Sequence, residues 1–416
     1  MTSTGETTRG RTGRRLAARQ LAAAGAMILV LAGCTPAGGP AETPGTSTSP
    51  TVPATTDAAP GSDAASSPTS SSPSAAATST NTERVSVVVT GDVLLHPPLW
   101  KQARADGTAA DPDFRSLLAG LAPYLDDADL AVCSLETPVG DADGPYSGYP
   151  SFVVPPQILP ALKATGYDAC TTATNHAVDG GTPGLLRTLD GLDKAGLRHT
   201  GTYRSAAEAA RPLILEAGGV RVGLVTGTYG LNGLRADTGW RVDLIDTGHM
   251  IAQAKKARKA GADVVLAGFH AGQEYSQRPT ADQRSTAHTL AESGAFDFVY
   301  SHHTHSVLPL EKHDGVWIAY GLGNSVSAHA TDLAVNREGV SLKLDFIRSG
   351  ASWKTAPPRW AADIMAQDPV RWCALPATTP CTTADGDAAS LKRTRTTLNA
   401  LGAEKDGARP WHPGDR

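Results

Sequence analysis

Apolar runs that each end in polar residues recur between residues 85 and 305 of this 416-residue chain. Six of them are VSVVVTGD, DLAVCSLE, DACTTATNH, VRVGLVTGT, DVVLAGFHAG and FDFVYSHHTH. Between them lie helix-like patterns such as residues 182–195 and 250–260. Strands that alternate with helices predict an α/β domain with a largely parallel sheet. In such sheets functional sites form beyond the carboxyl ends of the strands, which is where these polar residues fall.

The N-terminus has the pattern of an export signal. Five arginines precede an apolar stretch, residues 21–32, that is too short for a comfortable membrane span. The sequence LAGC, which ends at Cys34, resembles a bacterial lipobox, whose cysteine becomes the lipidated N-terminus. We therefore expect residues 1–34 to be a lipoprotein signal peptide, and the mature protein to be attached to the extracytoplasmic face of the membrane. The alternative is an ordinary signal peptide, or a signal anchor, with a chance cysteine.

Composition divides the rest of the chain. Residues 35–82 are nearly all Ser, Thr, Pro, Ala and Gly, which cannot bury enough apolar surface to fold. They predict a disordered tether that spans roughly 40 Å. We expect the main domain at residues 83–350 and a partly helical C-terminal extension at residues 351–416. The net charge of −4 gives no indication of a nucleic-acid partner.

Four cysteines remain if Cys34 is lipidated, an even number that suggests disulfides in an exported protein. Cys373 and Cys381 are close in sequence and are the favoured pair. Cys133 and Cys170 lie near the ends of two strands, and they can pair if those strands are neighbours. Buried free cysteines are the alternative for that second pair.

Carboxylates, an amide and imidazoles follow the apolar runs in order. These candidate metal ligands are Asp92, Glu136, Asn175, His270, His303 and His305. Such a mixture of oxygen and nitrogen ligands suits Mn, Fe or Zn better than an ion that prefers oxygen alone. Two divalent ions bridged by a carboxylate can hold a phosphate group and activate a water.

The spacing within SHHTH carries a further expectation. In an extended segment, residues i and i+2 share a face, so His303 and His305 should face the site while His302 points away. His176 follows the candidate ligand Asn175 at the rim and is free to act as an acid. Asp179 can fix its tautomer by a hydrogen bond.

Each motif alone has a simpler explanation. A Gly-Asp pair after a strand is usually a turn, and Asn-His before a helix is usually a cap. Their joint occurrence at successive strand ends is what favours a metal site.

Several motifs together resemble the CapA family of poly-γ-glutamate capsule biosynthesis proteins, in the metallophosphatase-like superfamily. They are TGDVLLH, SLETPVG, ATNHAVDGG, FHAGQEY, SHHTHSVLPLE and YGLGNSV, and the resemblance covers residues 84–346. It implies a four-layer α/β/β/α sandwich with a metal site at one edge. It also implies membrane association and work on an anionic γ-glutamyl polymer, with that polymer or its synthase complex as partner.

Residue by residue, the six candidate ligands match the ligand positions of the superfamily, and His176 matches its proton-donor histidine. Glu136 stands where many metallophosphatases have a bridging Asp. The sequence departs from the pattern at Leu94, where many of these enzymes have a histidine, and His96 is a distant substitute. Glu274 and Asn324 also lie in family motifs, without an assigned role.

Two functions are consistent with this pattern. The first is a metal-dependent hydrolase of the bacterial envelope that binds two divalent ions. The second is a non-catalytic accessory that binds the anionic polymer or its synthase at the membrane surface.

Overall fold

The computed structural model describes residues 83–331 and 333–415. The predictions for residues 1–34, for Cys34 and for the tether up to residue 82 therefore lie outside the described residues. The strands are β1 (Arg84–Leu94), β2 (Leu130–Leu135), β3 (Ala169–Thr171), β4 (Arg198–Thr200), β5 (Leu213–Ala217), β6 (Val220–Thr228), β7 (Val264–His270), β8 (Phe298–His302), β9 (Leu310–His313), β10 (Val316–Ala319), β11 (Asn324–Ser327), β12 (Glu338–Ser349), β13 (Ser352–Thr355), β14 (Arg359–Gln367), β15 (Val370–Leu375) and β16 (Arg409–Pro410).

The α-helices are α1 (Pro97–Asp106), α2 (Arg115–Leu118), α3 (Ala122–Leu125), α4 (Ile158–Thr165), α5 (Gly181–Ala195), α6 (Ala206–Ala209), α7 (Thr247–Lys259), α8 (Ala281–Glu292) and α9 (Ala384–Leu398). Short 3₁₀ helices cover Ala334–Arg337 and Asn399–Leu401.

The first sheet is centred on β1. Parallel strands β2, β3 and β4 follow on one side, and antiparallel β12, β14 and β15 follow on the other. The short strand β11 pairs in parallel with the end of β1, and it brings Asn324 opposite Asp92. Residues after 350 supply β13 to β16, which all pair within this sheet, as well as α9. The C-terminal segment is therefore built into the same sheet as β1.

The second sheet has the order β5-β6-β7-β8-β10-β9. Its four central strands are parallel, and the edge strands β5 and β9 are antiparallel to their neighbours. The parallel strands of both sheets alternate with helices, as the sequence pattern predicts.

Three apolar clusters separate four layers. Val88 of β1 packs toward α1 to α5, whereas Val87 and Val89 pack between the two sheets, because successive side chains of a strand point to opposite faces. The third cluster joins the second sheet to α7 and α8, and it includes Val265 of β7 and Leu290 of α8. A strand buried on both faces explains the unbroken apolar run VSVVV. The expected α/β/β/α sandwich is confirmed.

Two disulfides are present among the described residues. Cys133 of β2 and Cys170 of β3 are directly paired in register, with their Cα atoms 4.5 Å apart. Cys373 of β15 bonds to Cys381 in the segment before α9. The pair Cys373–Cys381 is the one that closeness in sequence favours, whereas the pair Cys133–Cys170 depends on β2 and β3 being neighbours, which the sequence left open.

Among the described residues, no helix combines the length and the apolar character that crossing a membrane requires.

Candidate metal centre

The carboxyl ends of the parallel strands of both sheets meet at one edge of the sandwich. Asp92 lies in β1, Glu136 follows β2 and Asn175 follows β3, while His270 ends β7 in the second sheet. The segment after β8 adds His303 and His305. All six predicted ligands are buried and brought together here, half of them from each sheet.

Distances define the centre of the cluster. Oε1 of Glu136 lies 3.6 Å from Nε2 of His270 and 3.6 Å from Nε2 of His305. Ligand atoms of Asp92, Glu136 and His305 all lie within 4.8 Å of one another. The same holds for Glu274, His303 and His305, so His305 belongs to two adjoining groups. Each group is compact enough for one ion, and a shared imidazole between two groups is consistent with a pair of ions.

The cluster has unused ligand capacity. Both carboxylate oxygens of Glu136 are buried without a hydrogen-bond partner among the described residues, and so are Nδ1 of His270 and Nδ1 of His303. A buried carboxylate without a partner is costly, and a bound cation removes that cost. Carboxylate, amide and imidazole together fit a divalent transition ion. The residues present therefore fit the metal that the resemblance implies.

The electrostatics of the cluster also favour a cation. Burial lowers the pKa of His305, but the carboxylates of Glu136 and Asp92 outweigh burial and raise it to about 10. Burial would raise the pKa of Asp92, yet its contacts with His302 and His305 hold it well below the usual value. The two carboxylates thus remain charged and draw positive charge to this point.

Close backbone packing explains why residue 91, in the motif TGD, is a glycine. The main-chain nitrogen of Asp92 donates to the oxygen of Gly323 at 2.9 Å, so the two backbones run in close contact. A Cβ on Gly91 would lie 2.5 Å from that same oxygen. Glycine at position 91 therefore lets Asp92 reach the site beside β11.

His302 does not point away, and that expectation is wrong. Its Nδ1 lies 3.0 Å from Oδ1 of Asp92. The expectation assumed an extended segment, but the backbone of His303 has φ of +85° and that of His305 has φ of +50°. These left-handed residues break the two-residue alternation, so the imidazoles of His302, His303 and His305 all turn toward one carboxylate cluster.

The ligand Asn175 is oriented by a residue that the sequence analysis missed. Nδ2 of Asn175 donates to Oδ1 of Asn232 at 3.3 Å, which leaves Oδ1 of Asn175 facing Nε2 of His270 at 2.8 Å. The hydroxyl of Tyr229 donates to the same Asn232 oxygen. Tyr229 and Asn232 follow β6, whose apolar run VRVGLVTGT ends at the same edge as the other strands. Their position after this strand is the sequence feature that could have identified them as site residues.

His176 and Asp179 form the expected pair at the rim. Nδ1 of His176 lies 2.6 Å from Oδ2 of Asp179, which also accepts from the main-chain nitrogen of Phe152. Burial lowers the pKa of His176, but the hydrogen bond to Asp179 and the charges of Glu136 and Asp179 raise it overall. The imidazole is held in one tautomer with Nε2 left for a substrate.

The three additional residues differ in position. Asn324 is buried, and its Oδ1 lies 3.0 Å from Nδ1 of His305. Glu274 is 38% exposed, with Oε1 3.9 Å from Nε2 of His303. His96 is in neither group of ligand atoms, and its Nδ1 lies 3.2 Å from the main-chain oxygen of Leu94. Burial and the charges of His329 and His305 lower the pKa of His96 to about 4.

The four layers place this cluster where the parallel strands of both sheets end, which is the arrangement that the resemblance implies. The chain belongs to the family of bacterial capsule synthesis proteins described as PGA_cap, because the family model matches residues 86–329. This is the CapA family that the motifs indicate.

Curated relatives agree with this assignment. The chain is 25% identical over 255 residues to the capsule biosynthesis protein CapA of Bacillus anthracis, an alignment that covers 59% of this chain and 60% of the relative. It is 30% identical over 175 residues to the PGA biosynthesis protein CapA of Bacillus subtilis, covering 40% of this chain and 44% of the relative. The chain thus spans about half the length of these relatives.

Among solved structures, the calcineurin-like phosphoesterase YfkN of Bacillus subtilis is similar at 17% identity, with a TM-score of 0.45. The match covers 76% of this chain and 98% of that chain.

Proposed function

We propose that this protein is a metal-dependent hydrolase of the bacterial envelope, phosphoesterase-like in mechanism, that serves the synthesis of a poly-γ-glutamate capsule or a related envelope polymer. The observation that carries the proposal is the His176–Asp179 pair, at 2.6 Å, beside a buried cluster whose Glu136 oxygens lack partners. The family description and the names of the two Bacillus relatives support the polymer.

The residues that would hold the metal are Asp92, Glu136, Asn175, His270, His303 and His305. Bound there, divalent ions such as Mn, Fe or Zn would supply Lewis-acid polarisation of a phosphoryl or acyl oxygen and lower the pKa of a water.

The chain's own residues supply orientation and proton transfer. Asn232 turns the oxygen of Asn175 toward the cluster, and Asn324 holds the ring of His305. When the bond from phosphorus to the leaving oxygen breaks, Nε2 of His176 gives its proton to that oxygen. Asp179 accepts the hydrogen bond from Nδ1 of His176 and stabilises the protonated imidazole until Nε2 gives up its proton, in agreement with the raised pKa of His176.

We further propose that Cys34 is lipidated and that residues 35–82 tether the domain to the outer face of the cell membrane. This arrangement would bring the site to a polymer assembled at that surface. Cys34→Ser should move the protein from the membrane fraction to the soluble fraction, and a variant that stays in the membrane fraction would refute lipid anchoring.

The enzyme proposal is tested with bis-p-nitrophenyl phosphate and bound metal in parallel. The full chain, loaded with Mn²⁺ or Zn²⁺, should hydrolyse the diester and contain about two ions by mass spectrometry. His303→Ala should lose both metal and turnover. The control His412→Ala should keep both, because His412 is exposed and belongs to none of the groups of ligand atoms. Full activity in His303→Ala would exclude this mechanism.

A second candidate is a non-catalytic accessory that binds the anionic polymer or its synthase. Leu94, where many metallophosphatases have a histidine, is 3% exposed and packs in the apolar cluster beside α1. A Mycobacterium tuberculosis relative, 27% identical over 213 residues, is named a probable polyglutamine synthesis accessory protein. This function predicts a protein that binds metal and polymer yet leaves every tested ester intact.

A further inference from the structure

A second group of metal-ligating side chains lies on the outer face of the second sheet. His288 and Glu292 are one turn apart on α8, so they share a face of that helix. Glu311 and His313 are two residues apart on the edge strand β9, so they share a face of that strand. The packing of α8 against β9 brings the two pairs together.

Contacts between the pairs are short. Nε2 of His288 lies 3.0 Å from Oε2 of Glu311, and Nε2 of His313 lies 2.7 Å from Oε1 of Glu292. The two imidazoles stack in parallel with their centroids 3.7 Å apart. Ligand atoms of His288, Glu311 and His313 all lie within 4.8 Å of one another. Glu292, in contact with His313, is the fourth side chain that can supply a ligand atom here.

Neighbouring side chains position Glu311, as is usual for carboxylates that bind metals. The hydroxyl of Tyr320 donates to Oε2 of Glu311 at 2.5 Å, and Nη2 of Arg284 donates to Oε1 at 3.1 Å. Glu311 and His288 are less than one-fifth and about one-quarter exposed, so an ion here would be partly shielded from water but reachable from solvent. Two carboxylates against one arginine leave a net negative charge at the site.

We propose that this group is a structural site for a divalent transition ion, with Zn²⁺ as the best fit. Its four ligands are His288, Glu292, Glu311 and His313. Imidazole and carboxylate are both ligands of zinc in proteins, and four ligands match the coordination number of a structural zinc site. None of the four residues belongs to the candidate metal centre, and the proposal is independent of the function proposed above.

Such an ion fastens α8 to an exposed edge strand. An edge strand has unpaired backbone groups on one side, and covering or fixing it protects the sheet. The helix α8 also carries Gln283, whose Nε2 donates to the main-chain oxygen of Tyr320 and to Oγ of Ser301. Ser301 directly precedes the histidines of the candidate metal centre, so a fixed α8 supports the strand end that presents them.

The test measures zinc bound per full chain by equilibrium dialysis and mass spectrometry, together with the melting temperature with and without zinc. The wild type should bind one more ion than His288→Ala and than His313→Ala, and the matched control His412→Ala should bind as many as the wild type. Co²⁺ in place of zinc should give visible absorption typical of four-coordinate cobalt, part of which disappears in both variants.

A third substitution, Glu292→Gln, separates loss of zinc from misfolding. Glu292 is 56% exposed, so Glu292→Gln leaves the core untouched and should weaken the extra zinc at least about tenfold. Its melting temperature without zinc should equal that of the wild type, while the rise on adding zinc should be smaller. Equal zinc content and equal zinc-dependent melting in the wild type and all three variants would overturn the proposal.

Discussion

The side-chain oxygen of Asn324 lies 3.0 Å from Nδ1 of His305, and the two residues come from different sheets of the sandwich. The amide nitrogen of Asn324 donates to the main-chain oxygen of Asn336 at 2.8 Å, which fixes the orientation of the amide. Because the oxygen faces the imidazole, the hydrogen of His305 stays on Nδ1. Nε2 is then directed toward Glu136, where an ion would bind.

Asn324→Ala should therefore weaken metal binding without removing a ligand. Loss of a residue that orients a metal-binding histidine typically costs 10–100-fold in affinity, and we expect about that reduction here. Competition with a coloured chelator measures it. Asn399→Ala, at the end of α9, serves as the control and should bind metal like the wild type. Unchanged affinity in Asn324→Ala would mean that His305 needs no such support.

Asp179→Asn should shift the pH dependence of hydrolysis and change the maximal rate less. In the proposed mechanism the acid form of His176 must be present, so activity should fall as the pH rises through its raised pKa. Replacing the carboxylate with an amide removes the charge that raises this pKa, and the fall in activity should move to lower pH. The fall in rate should be steeper for a diester with an alkyl leaving group, which needs a proton more than p-nitrophenolate does. Metal content should stay constant, and an unmoved profile would exclude His176 as the acid.

Asp363→Asn should stabilise the protein above neutral pH. Asp363 in β14 is fully buried, and burial raises its pKa well above the ordinary value although the indole of Trp372 acts in the opposite direction. The folded protein therefore binds a proton that the unfolded chain releases, so stability falls as the pH rises from the ordinary carboxyl range through the raised pKa.

The amide cannot lose a proton, so the variant should lack this fall. We expect its melting temperature at pH 8 to exceed that of the wild type by about 2–4 °C, the equivalent of about 1 kcal/mol, and the difference to shrink as the pH is lowered. Asp143→Asn, at an exposed position, should show neither effect. Parallel pH curves for Asp363→Asn and the wild type would contradict the assignment.

Gly91→Ala should damage both stability and the site. The new Cβ would lie 2.5 Å from the main-chain oxygen of Gly323, a backbone atom that moves only if β11 moves. We expect a loss of about 2 kcal/mol from such overpacking, measured by urea denaturation, and weaker metal binding because Asp92 shifts. Gly239→Ala is the matched control, since nothing lies within 4 Å of its Cβ. Equal denaturation midpoints for the two variants would rule out the proposed crowding.

The parts of the fold that could be predicted are those set by local pattern. Parallel strands buried on both faces give unbroken apolar runs, and their carboxyl ends must face the same edge, so the placement of Asp92, Glu136 and Asn175 followed from strand order. The pairing of β12, β14 and β15 beside β1 depends on contacts between residues distant in sequence, and no local pattern reveals it.

Two features of the site could not be predicted from the sequence, for different physical reasons. The direction of His302 was wrong because alternation along a strand fails once residues adopt positive φ, and only the folded loop decides where that happens. Asn232 was missed because a ligand-orienting amide needs no motif and only has to lie within reach of Asn175. The hydrogen bond between His176 and Asp179 could be expected, since three residues in one turn make it local.

The position of the candidate metal centre between two sheets has a thermodynamic consequence. An ion that takes ligands from β1 and from β7 binds fully only when the sheets are docked, so its binding free energy adds to the docking equilibrium. At an ion concentration one hundred times the dissociation constant this amounts to about 2.7 kcal/mol. The affinity for the ion would then report how stably the two sheets are docked. A substitution that weakens the apolar packing between the sheets would also lower the affinity for the ion.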